Sequence, residues 1–86
     1  MYYVYILQSG KDGKLYTGFT PNLDARLQKH RSGKVLATKA RLPVDLLYYE
    51  AYKNEPDARN REDYFNTGWG RNYVHKILFN TLSNNQ

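Results

Sequence analysis

Two short runs of aromatic and β-branched side chains lie near the start of the chain, on either side of a turn. Residues 2–8 and 15–19 have the composition of β-strands, and residues 9–13 contain the serine, glycine and aspartate that are typical of a turn. Strands joined by so short a connection pair in the antiparallel direction. The chain is therefore predicted to begin with a β-hairpin.

The register of this hairpin decides which side chains share a face of the sheet. A register that places Tyr5 opposite Tyr16 also places Tyr3 opposite Gly18. Directly opposed residues share a face, so the two tyrosines would lie side by side, and the glycine would leave room above the sheet. A slip of one residue would move them to opposite faces.

A helix is predicted to follow the hairpin. Thr20 and Pro21 are the residue types of an N-cap and a first helical position, and Gly33 is a stop signal, so the helix should cover residues 21–32. Its inward stripe consists of Leu23, Arg26, Leu27 and His30. Two of these four side chains are cationic or titratable. Such a stripe either carries its polar ends past the edge of the core or points them into a site.

The next segment is predicted to be a basic loop followed by a strand. The loop covers residues 34–43, and residues 44–52 have the composition of a third strand. Regular alternation along this strand would place Leu46, Tyr48 and Glu50 on one face.

Two further helices complete the predicted fold. Asn54 is a suitable cap for a second helix that ends at Gly68, and residues 69–70 are expected to break the chain before a third helix over residues 71–82. The second helix carries a charged pair among its inward residues, which are Ala58, Arg61, Glu62 and Phe65. The inward residues of the third helix are Val74, Ile77, Leu78 and Leu82.

These elements predict a domain of the α/β class, in its α+β form. A three-stranded, largely antiparallel sheet is flanked by three helices in the order β-β-α-β-α-α. The chain of 86 residues is enough for one domain with a small core. We assign the domain to residues 1–82 and expect the polar residues 83–86 to fray.

Cysteine is absent, and this absence limits the chemistry. It excludes a disulfide scaffold, a disulfide-linked partner, a cysteine-bound zinc and a thiol nucleophile. No apolar run approaches the roughly 20 residues that span a bilayer, and the first residues lack the pattern of a signal peptide. We expect a soluble, cytoplasmic protein without a membrane partner. Its oligomeric state stays open.

Positive charge is concentrated in the middle of the chain. The net charge is +5, and residues 26–41 contain no acid. The cations of this basic block are Arg26, Lys29, Arg31, Lys34, Lys39 and Arg41. A basic block in a chain with nine tyrosines suits phosphate backbones and stacked bases. The solvated face of a basic protein has the same composition, so charge alone leaves both interpretations open.

Six short motifs occur in order along the chain. They are Tyr3-Val4-Tyr5, Tyr16-Thr17-Gly18, Arg26 with His30, the stretch from Thr38 through Arg41 to Pro43, residues 47–52, and Asp57-Ala58 with Arg61-Glu62. In this order they resemble the GIY-YIG endonuclease family, in particular its small stand-alone proteins related to the incision subunit of bacterial nucleotide-excision repair. The resemblance covers residues 2–73. Tyr3 replaces a glycine of the first motif, and Thr17 replaces an isoleucine of the second.

The resemblance implies an endonuclease that hydrolyses DNA phosphodiesters with one divalent metal ion, Mg²⁺ or Mn²⁺. Glu62 would bind the metal, and Arg26 would hold the scissile phosphate. Tyr5 or Tyr16 would orient or deprotonate the attacking water. A free tyrosine has a pKa of about 10, so a tyrosine base needs a nearby cation.

The remaining members of the implied site have supporting roles. His30 would assist proton transfer or bind phosphate. The implied substrate contacts are Tyr3, Gly18, Lys34, Thr38, Lys39 and Arg41. An asparagine that larger family members place after the metal glutamate has three candidates here, which are Asn66, Asn72 and Asn80. The implied partner is DNA, with branched and damaged DNA among the candidates.

Each of these residues also has a structural interpretation. Strand tyrosines commonly belong to a core. Arg26 would then pair with Asp24 or Glu62, Glu62 with Arg59 or Arg61, and His30 would interact with the helix dipole. Two other functions compete with the endonuclease. One is a nucleic-acid-binding module without catalysis, and the other is a protein-interaction domain that uses the tyrosine-rich face.

Overall fold

The computed structural model describes residues 1–83. Within this range the chain forms three strands and five helices. The strands are β1 (Tyr2–Ser9), β2 (Leu15–Thr20) and β3 (Val44–Tyr52). The helices are α1 (Leu23–Arg31), α2 (Leu36–Lys39), α3 (Glu55–Phe65), α4 (Gly68–Ile77) and α5 (Phe79–Ser83). The predicted α+β fold with a three-stranded antiparallel sheet is confirmed.

The sheet has the order β2-β1-β3, so β1 is its central strand and is covered on both faces. Val4 and Ile6 pack with α3 and α4 on one face, which we call the α3 face. Tyr5 and Leu7 pack with Leu27 of α1 on the other, which we call the α1 face. Four consecutive residues of β1 are therefore buried, because each face of the strand meets a helix.

The register of the hairpin differs from the prediction by two residues. Tyr5 lies opposite Gly18, and Tyr16 lies opposite Leu7. The turn is longer than expected because Gly13 adopts a φ of 74° and donates its N–H to the Ser9 carbonyl at 2.9 Å. A shift of two residues preserves the faces, so Tyr5 and Tyr16 still share the α1 face as diagonal neighbours.

The first helix begins later than predicted. Asn22, not Thr20, is the N-cap, because its side chain accepts the N–H of Ala25 at 3.1 Å. Thr20 is the last residue of β2, and its hydroxyl instead accepts the N–H of Asn22 at 3.1 Å. Gly33 has a φ of 75° just after the helix, which confirms the predicted stop. The predicted basic loop contains one turn of helix, α2.

The break between the last helices is also displaced. The second predicted helix ends at Phe65 rather than Gly68, and Thr67 caps α4 by accepting the N–H of Gly70 at 3.0 Å. Trp69 and Gly70 therefore lie inside α4, which makes the predicted break at these residues wrong. Gly70 packs so closely on the Tyr64 carbonyl that any side chain would collide with it. This close packing allows a tight corner between α3 and α4.

The third predicted helix is divided into α4 and α5 at Leu78. Val74 and Leu78 are buried as expected, but Ile77 is 38% exposed. The expected fraying of the tail covered residues 83–86. Of these, Ser83 is the last residue of α5, and residues 84–86 lie outside the described range. No helix in the described range is long and apolar enough to cross a membrane.

A β-bulge changes the faces of β3. The pairing with β1 shifts between Ile6 and Leu7, which leaves Leu47 without a partner in the ladder. Leu46 consequently packs on the α1 face, whereas Tyr48 packs on the α3 face. The expectation that Leu46, Tyr48 and Glu50 share a face is wrong, because a bulge adds one residue and reverses the alternation.

The bulge brings Glu50 to α3, where three side chains bind its carboxylate. Arg61 donates from Nε at 2.8 Å and from Nη2 at 3.1 Å. The hydroxyls of Tyr48 and Tyr52 also donate to it. Burial acts to raise the pKa of Glu50, but these hydrogen bonds outweigh it and hold the pKa below its ordinary value. The network ties β3 to α3.

We expect Glu50→Gln to lower the free energy of unfolding by about 1–3 kcal/mol, because Arg61 and two hydroxyls lose a charged acceptor. The pKa of Glu50 is lower in the folded state, so the contribution is present above the unfolded-state pKa of about 4.3 and is lost as pH falls through the folded value. Urea unfolding of parent and variant at neutral and acidic pH measures the difference.

The matched control is Glu55→Gln, which breaks an exposed ion pair with Arg59 at 3.4 Å. This pair spans one turn of α3 and is worth at most about 0.5 kcal/mol. Equal destabilisation of the two variants would contradict a structural role for the Glu50 network.

Candidate active site

Three rings meet on the α1 face of the sheet. Tyr5 comes from β1, Tyr16 from β2 and His30 from the last turn of α1. Ring centroids lie 6.4 Å apart for the two tyrosines, 5.6 Å apart for Tyr5 and His30, and 5.4 Å apart for Tyr16 and His30. We call these three side chains the ring cluster.

A glycine makes this arrangement possible. Gly18 lies opposite Tyr5, and a methyl group built on it would overlap the Tyr5 ring at Cζ and at the hydroxyl oxygen. The Tyr5 side chain therefore occupies the space that a residue larger than glycine would need. The expected room above the sheet at Gly18 is filled by the protein itself.

A hydrogen-bonded chain runs inward from the ring cluster. The Tyr5 hydroxyl lies 2.8 Å from His30 Nε2, and Thr38 Oγ1 lies 2.7 Å from His30 Nδ1. All three residues are buried, with His30 and Tyr5 at 0% exposure. Burial, with a further contribution from Arg26, lowers the pKa of His30. His30 is therefore neutral at pH 7, and a neutral imidazole has one donor nitrogen and one acceptor nitrogen to serve these two hydroxyls.

Arg26 lies beside the ring cluster, one helical turn before His30. Its Nε is buried and has no hydrogen-bond acceptor within residues 1–83. It forms no ion pair with Asp24 or Glu62 in the same range. Interaction with the Tyr5 hydroxyl raises the pKa of Arg26, which keeps it cationic. A buried donor without an acceptor is costly unless a ligand supplies one.

The two tyrosines of the cluster differ in exposure. Burial raises the pKa of Tyr5, Arg26 lowers it, and Tyr16 and Glu62 raise it further, with a net increase. Tyr5 is fully buried, whereas Tyr16 is partly exposed. Of the two hydroxyls, only that of Tyr16 belongs to a side chain in contact with solvent.

Glu62 projects from α3 and is half-buried. Its carboxylate forms no hydrogen bond or ion pair with any residue between 1 and 83, because Arg61 binds Glu50 and Arg59 binds Glu55. Burial raises the pKa of Glu62, Arg59 lowers it and Asp63 raises it, again with a net increase. Since its charge also influences the pKa of Tyr5, Glu62 lies within electrostatic range of the ring cluster.

This carboxylate fits a single hard cation. No group of three or more His, Asp or Glu side chains within the described residues could hold a metal ion together. Mg²⁺ is commonly bound through one or two carboxylates, with water and substrate phosphates as its other ligands. Glu62, half-buried and without a hydrogen bond or ion pair to its carboxylate among residues 1–83, suits such an ion.

The other residues expected at the site lie around it. Tyr3 packs edge-on against Tyr49, with ring centroids 6.0 Å apart. Lys34 and Lys39 are exposed, outside the ring cluster. Arg41 forms an ion pair with Asp12 at 3.5 Å. These side chains are available at the surface, whereas Thr38 is buried behind His30.

Two side-chain contacts near the site were not predicted from the sequence. Nothing in the spacing of Thr38 indicated that it binds His30, because the contact depends on the turn of helix α2. Nothing indicated that Glu50 would take Arg61 away from Glu62. Of the candidate asparagines, Asn66 lies one turn after Glu62 and donates to the Glu62 carbonyl at 3.1 Å. Asn72 and Asn80 are exposed.

The chain is similar to a known protein family and to several known proteins. Residues 1–72 match the family described as the GIY-YIG catalytic domain. The UPF0213 protein of Streptococcus sanguinis is 50% identical over 64 residues, which cover 73% of this chain and 72% of that protein. The UPF0213 protein of Clostridium perfringens is 46% identical over 65 residues, which cover 74% and 69% of the two chains.

A solved structure is also similar. The solution NMR structure of a UPF0213 protein from Bacillus halodurans matches with a TM-score of 0.57 and 33% identity, over 90% of this chain and 85% of that chain. The family match includes the ring cluster together with Arg26 and Glu62. The chain therefore belongs to the GIY-YIG family of nuclease-type domains, together with the small stand-alone UPF0213 proteins.

Proposed function

We propose that this protein is a metal-dependent endonuclease that hydrolyses phosphodiester bonds in DNA. The observation that carries the proposal is a pair of charged side chains, each with a polar group to which no residue in the described range forms a hydrogen bond. Arg26 has a buried Nε without an acceptor, and Glu62 has a half-buried carboxylate without a donor. Both lie within electrostatic range of Tyr5. A phosphate and a cation would satisfy both groups at once.

The roles of the side chains follow from their positions. Arg26 binds the scissile phosphate through its planar guanidinium, which matches two phosphate oxygens. Tyr16 contacts the attacking water, because it is the exposed tyrosine of the cluster. Glu62 holds the metal ion, Mg²⁺ or Mn²⁺. When bound, the metal stabilises charge on the phosphoryl oxygens and lowers the pKa of coordinated water.

Tyr5 and His30 have positioning roles in this proposal. The raised pKa of Tyr5 keeps its hydroxyl protonated at neutral pH. We assign the His30 tautomer in which Nε2 accepts a hydrogen bond from this hydroxyl. His30 Nδ1 then donates to Thr38 Oγ1. This chain fixes the Tyr5 ring beside Arg26, so we assign Thr38 to the support of His30 rather than to the substrate.

A plasmid-nicking assay tests the proposal. Supercoiled DNA is incubated with the protein in Mg²⁺, in Mn²⁺ and in EDTA. We expect nicking with either metal and none in EDTA. Salt-sensitive DNA binding without nicking would support a binding module instead. A protein that neither nicks nor binds DNA would support a protein-interaction domain. Branched and damaged duplexes in the same assay identify the preferred DNA.

The basic block is expected to supply affinity rather than chemistry. Replacing Lys34 and Lys39 by alanine should weaken DNA binding and reduce its salt dependence, by a slope of up to about 0.9 for each phosphate that the variant no longer binds. Both side chains are exposed. Binding is measured over a range of salt concentrations in EDTA, with Lys53→Ala as the control, an exposed lysine after β3. An unchanged slope would place the DNA on another surface.

A further inference from the structure

A cleft of about 410 Å³ lies on the α3 face, on the other side of the sheet from the ring cluster. It is bounded by the turn between β1 and β2 and by the start of α4. Leu15, Phe65 and Val74 contribute apolar surface, and Phe65 and Val74 are buried. Its volume is in the range of sites that bind small organic molecules, which is about 300–1,000 Å³.

The charged and titratable groups around this cleft are basic. Lys14, Arg71 and His75 line it, and no acid among residues 1–83 does. Neither Lys14 nor Arg71 forms an ion pair with a residue between 1 and 83. The guanidinium of Arg71 is held in place because Nη1 donates to the Asn66 carbonyl at 3.0 Å. An apolar floor with unpaired cations suits a ligand that combines a flat apolar part with a phosphate.

The cleft adjoins the proposed metal ligand along α3. Phe65 and Asn66 line the cleft, and they follow Glu62 by three and four residues. Residues at this spacing are neighbours on one side of a helix, about one turn or 5.4 Å apart. A strand bound at Glu62 therefore has the cleft within reach of an adjacent nucleotide.

We propose that this cleft binds a nucleotide next to the phosphate that is cut. Lys14 and Arg71 contact its phosphate, and its base lies on the apolar floor. The proposal rests on the proposed endonuclease function, and it assigns that function a substrate subsite on the second face of the sheet. It requires that the substrate strand pass around the β2 edge, from the ring cluster to the α3 face.

Charge reversal tests the phosphate contact. Arg71→Glu is compared with Lys76→Glu, a matched change on the same helix at an exposed residue outside the cleft. Binding of a short single-stranded oligonucleotide and of thymidine 3′,5′-bisphosphate is measured in EDTA, so that no cleavage occurs. We expect Arg71→Glu to raise the dissociation constant of both ligands by about tenfold, and Lys76→Glu to change it much less. Equal effects of the two variants would overturn the proposal.

Filling the cleft tests the base contact without a change of charge. Thr17 lines the cleft from the edge strand β2 and is half-buried, so Thr17→Phe adds bulk there. In the parent, we expect the oligonucleotide to shift the backbone amide signals of Lys14 and Val74, and we expect Thr17→Phe to abolish these shifts. A second result would also overturn the proposal. If the parent bound the free bisphosphate but Arg71→Glu bound the oligonucleotide as tightly as the parent, the cleft would lie off the path of the strand.

Failure of this proposal and failure of the endonuclease are distinguishable. If the parent nicks plasmid while Arg71→Glu binds oligonucleotide like Lys76→Glu, the cleft proposal is wrong and the nuclease stands. If the parent does not nick, nucleotide binding that is sensitive to Arg71→Glu still supports a nucleotide site in the cleft.

Discussion

Glu62→Gln is expected to reduce metal-dependent nicking by on the order of 10²-fold or more. Glutamine keeps the shape of the side chain but removes the charge that holds the cation, and loss of one preorganised electrostatic contact commonly costs this much. The initial rate of plasmid nicking in Mg²⁺ measures the effect. Asp63→Asn is the control, since it removes the same charge from the adjacent exposed residue of α3. Nicking at the parental rate by the Gln variant would refute the metal assignment.

Although Glu62→Gln is expected to lose activity, we expect it to be at least as stable as the parent. Because burial raises the pKa of Glu62, its ionised form is disfavoured in the folded state. This cost is absent below the unfolded-state pKa and appears as pH rises towards the folded value. In EDTA at neutral pH, the Gln variant should therefore unfold at the same temperature as the parent or a higher one. Marked destabilisation, with or without metal, would indicate a cationic protein partner instead.

Arg26→Lys is expected to lose about 10²-fold of the nicking rate, although it preserves the charge. Lysine has no planar fork and cannot bind two phosphate oxygens at once. It also lacks the Nε that, in arginine, is buried without an acceptor among the described residues. The rate under saturating DNA is the measurement that isolates this effect. Arg31→Lys, at an exposed position of α1, is the matched control. If the Arg26→Lys protein cut DNA like its parent, the phosphate-binding role would be wrong.

Local patterns predicted the parts of the fold that depend on local chemistry. Aromatic and β-branched residues identified the strands, including β3 over Val44–Tyr52, and Gly33 ends α1 because it can adopt a positive φ. The register of the hairpin was wrong by two residues because the turn geometry, and not the strand composition, sets it. The prediction that Tyr5 and Tyr16 share a face was nevertheless correct, because side chains alternate with a period of two and a shift of two residues keeps them on the same face.

Errors arose where tertiary packing overrides a local signal. Trp69-Gly70 has the appearance of a break, but Gly70 is needed for the close approach of α4 to the Tyr64 carbonyl. The bulge at Leu47 has no signature in the sequence of β3, because nothing in that strand reveals which residue its partner will skip. Both features depend on packing against another element of the fold.

For the candidate site too, the sequence predicted the residues but not the contacts that depend on tertiary packing. The motifs named Tyr5, Tyr16, Arg26 and His30, and the structure brings these side chains together on the α1 face. The sequence left open which tyrosine meets the solvent, because that depends on the hydrogen bond between Tyr5 and His30 and on the space above Gly18. The sequence also left open the partner of Glu62, because that partner depends on whether Arg61 binds Glu62 or another carboxylate.

The bulge in β3 has a consequence for the charge of the candidate site. If Leu47 instead paired with Ile6 while residues 44–46 kept their partners on β1, the alternation would run unbroken, and Glu50 would lie opposite Tyr3 on the face that carries Arg26. Arg61 would lose its acceptor, and a second carboxylate would compete with phosphate for Arg26. The bulge therefore determines which arginine Glu50 meets, and a one-residue shift of register in the second half of β3 would alter the charge of the site without replacing any residue of the site.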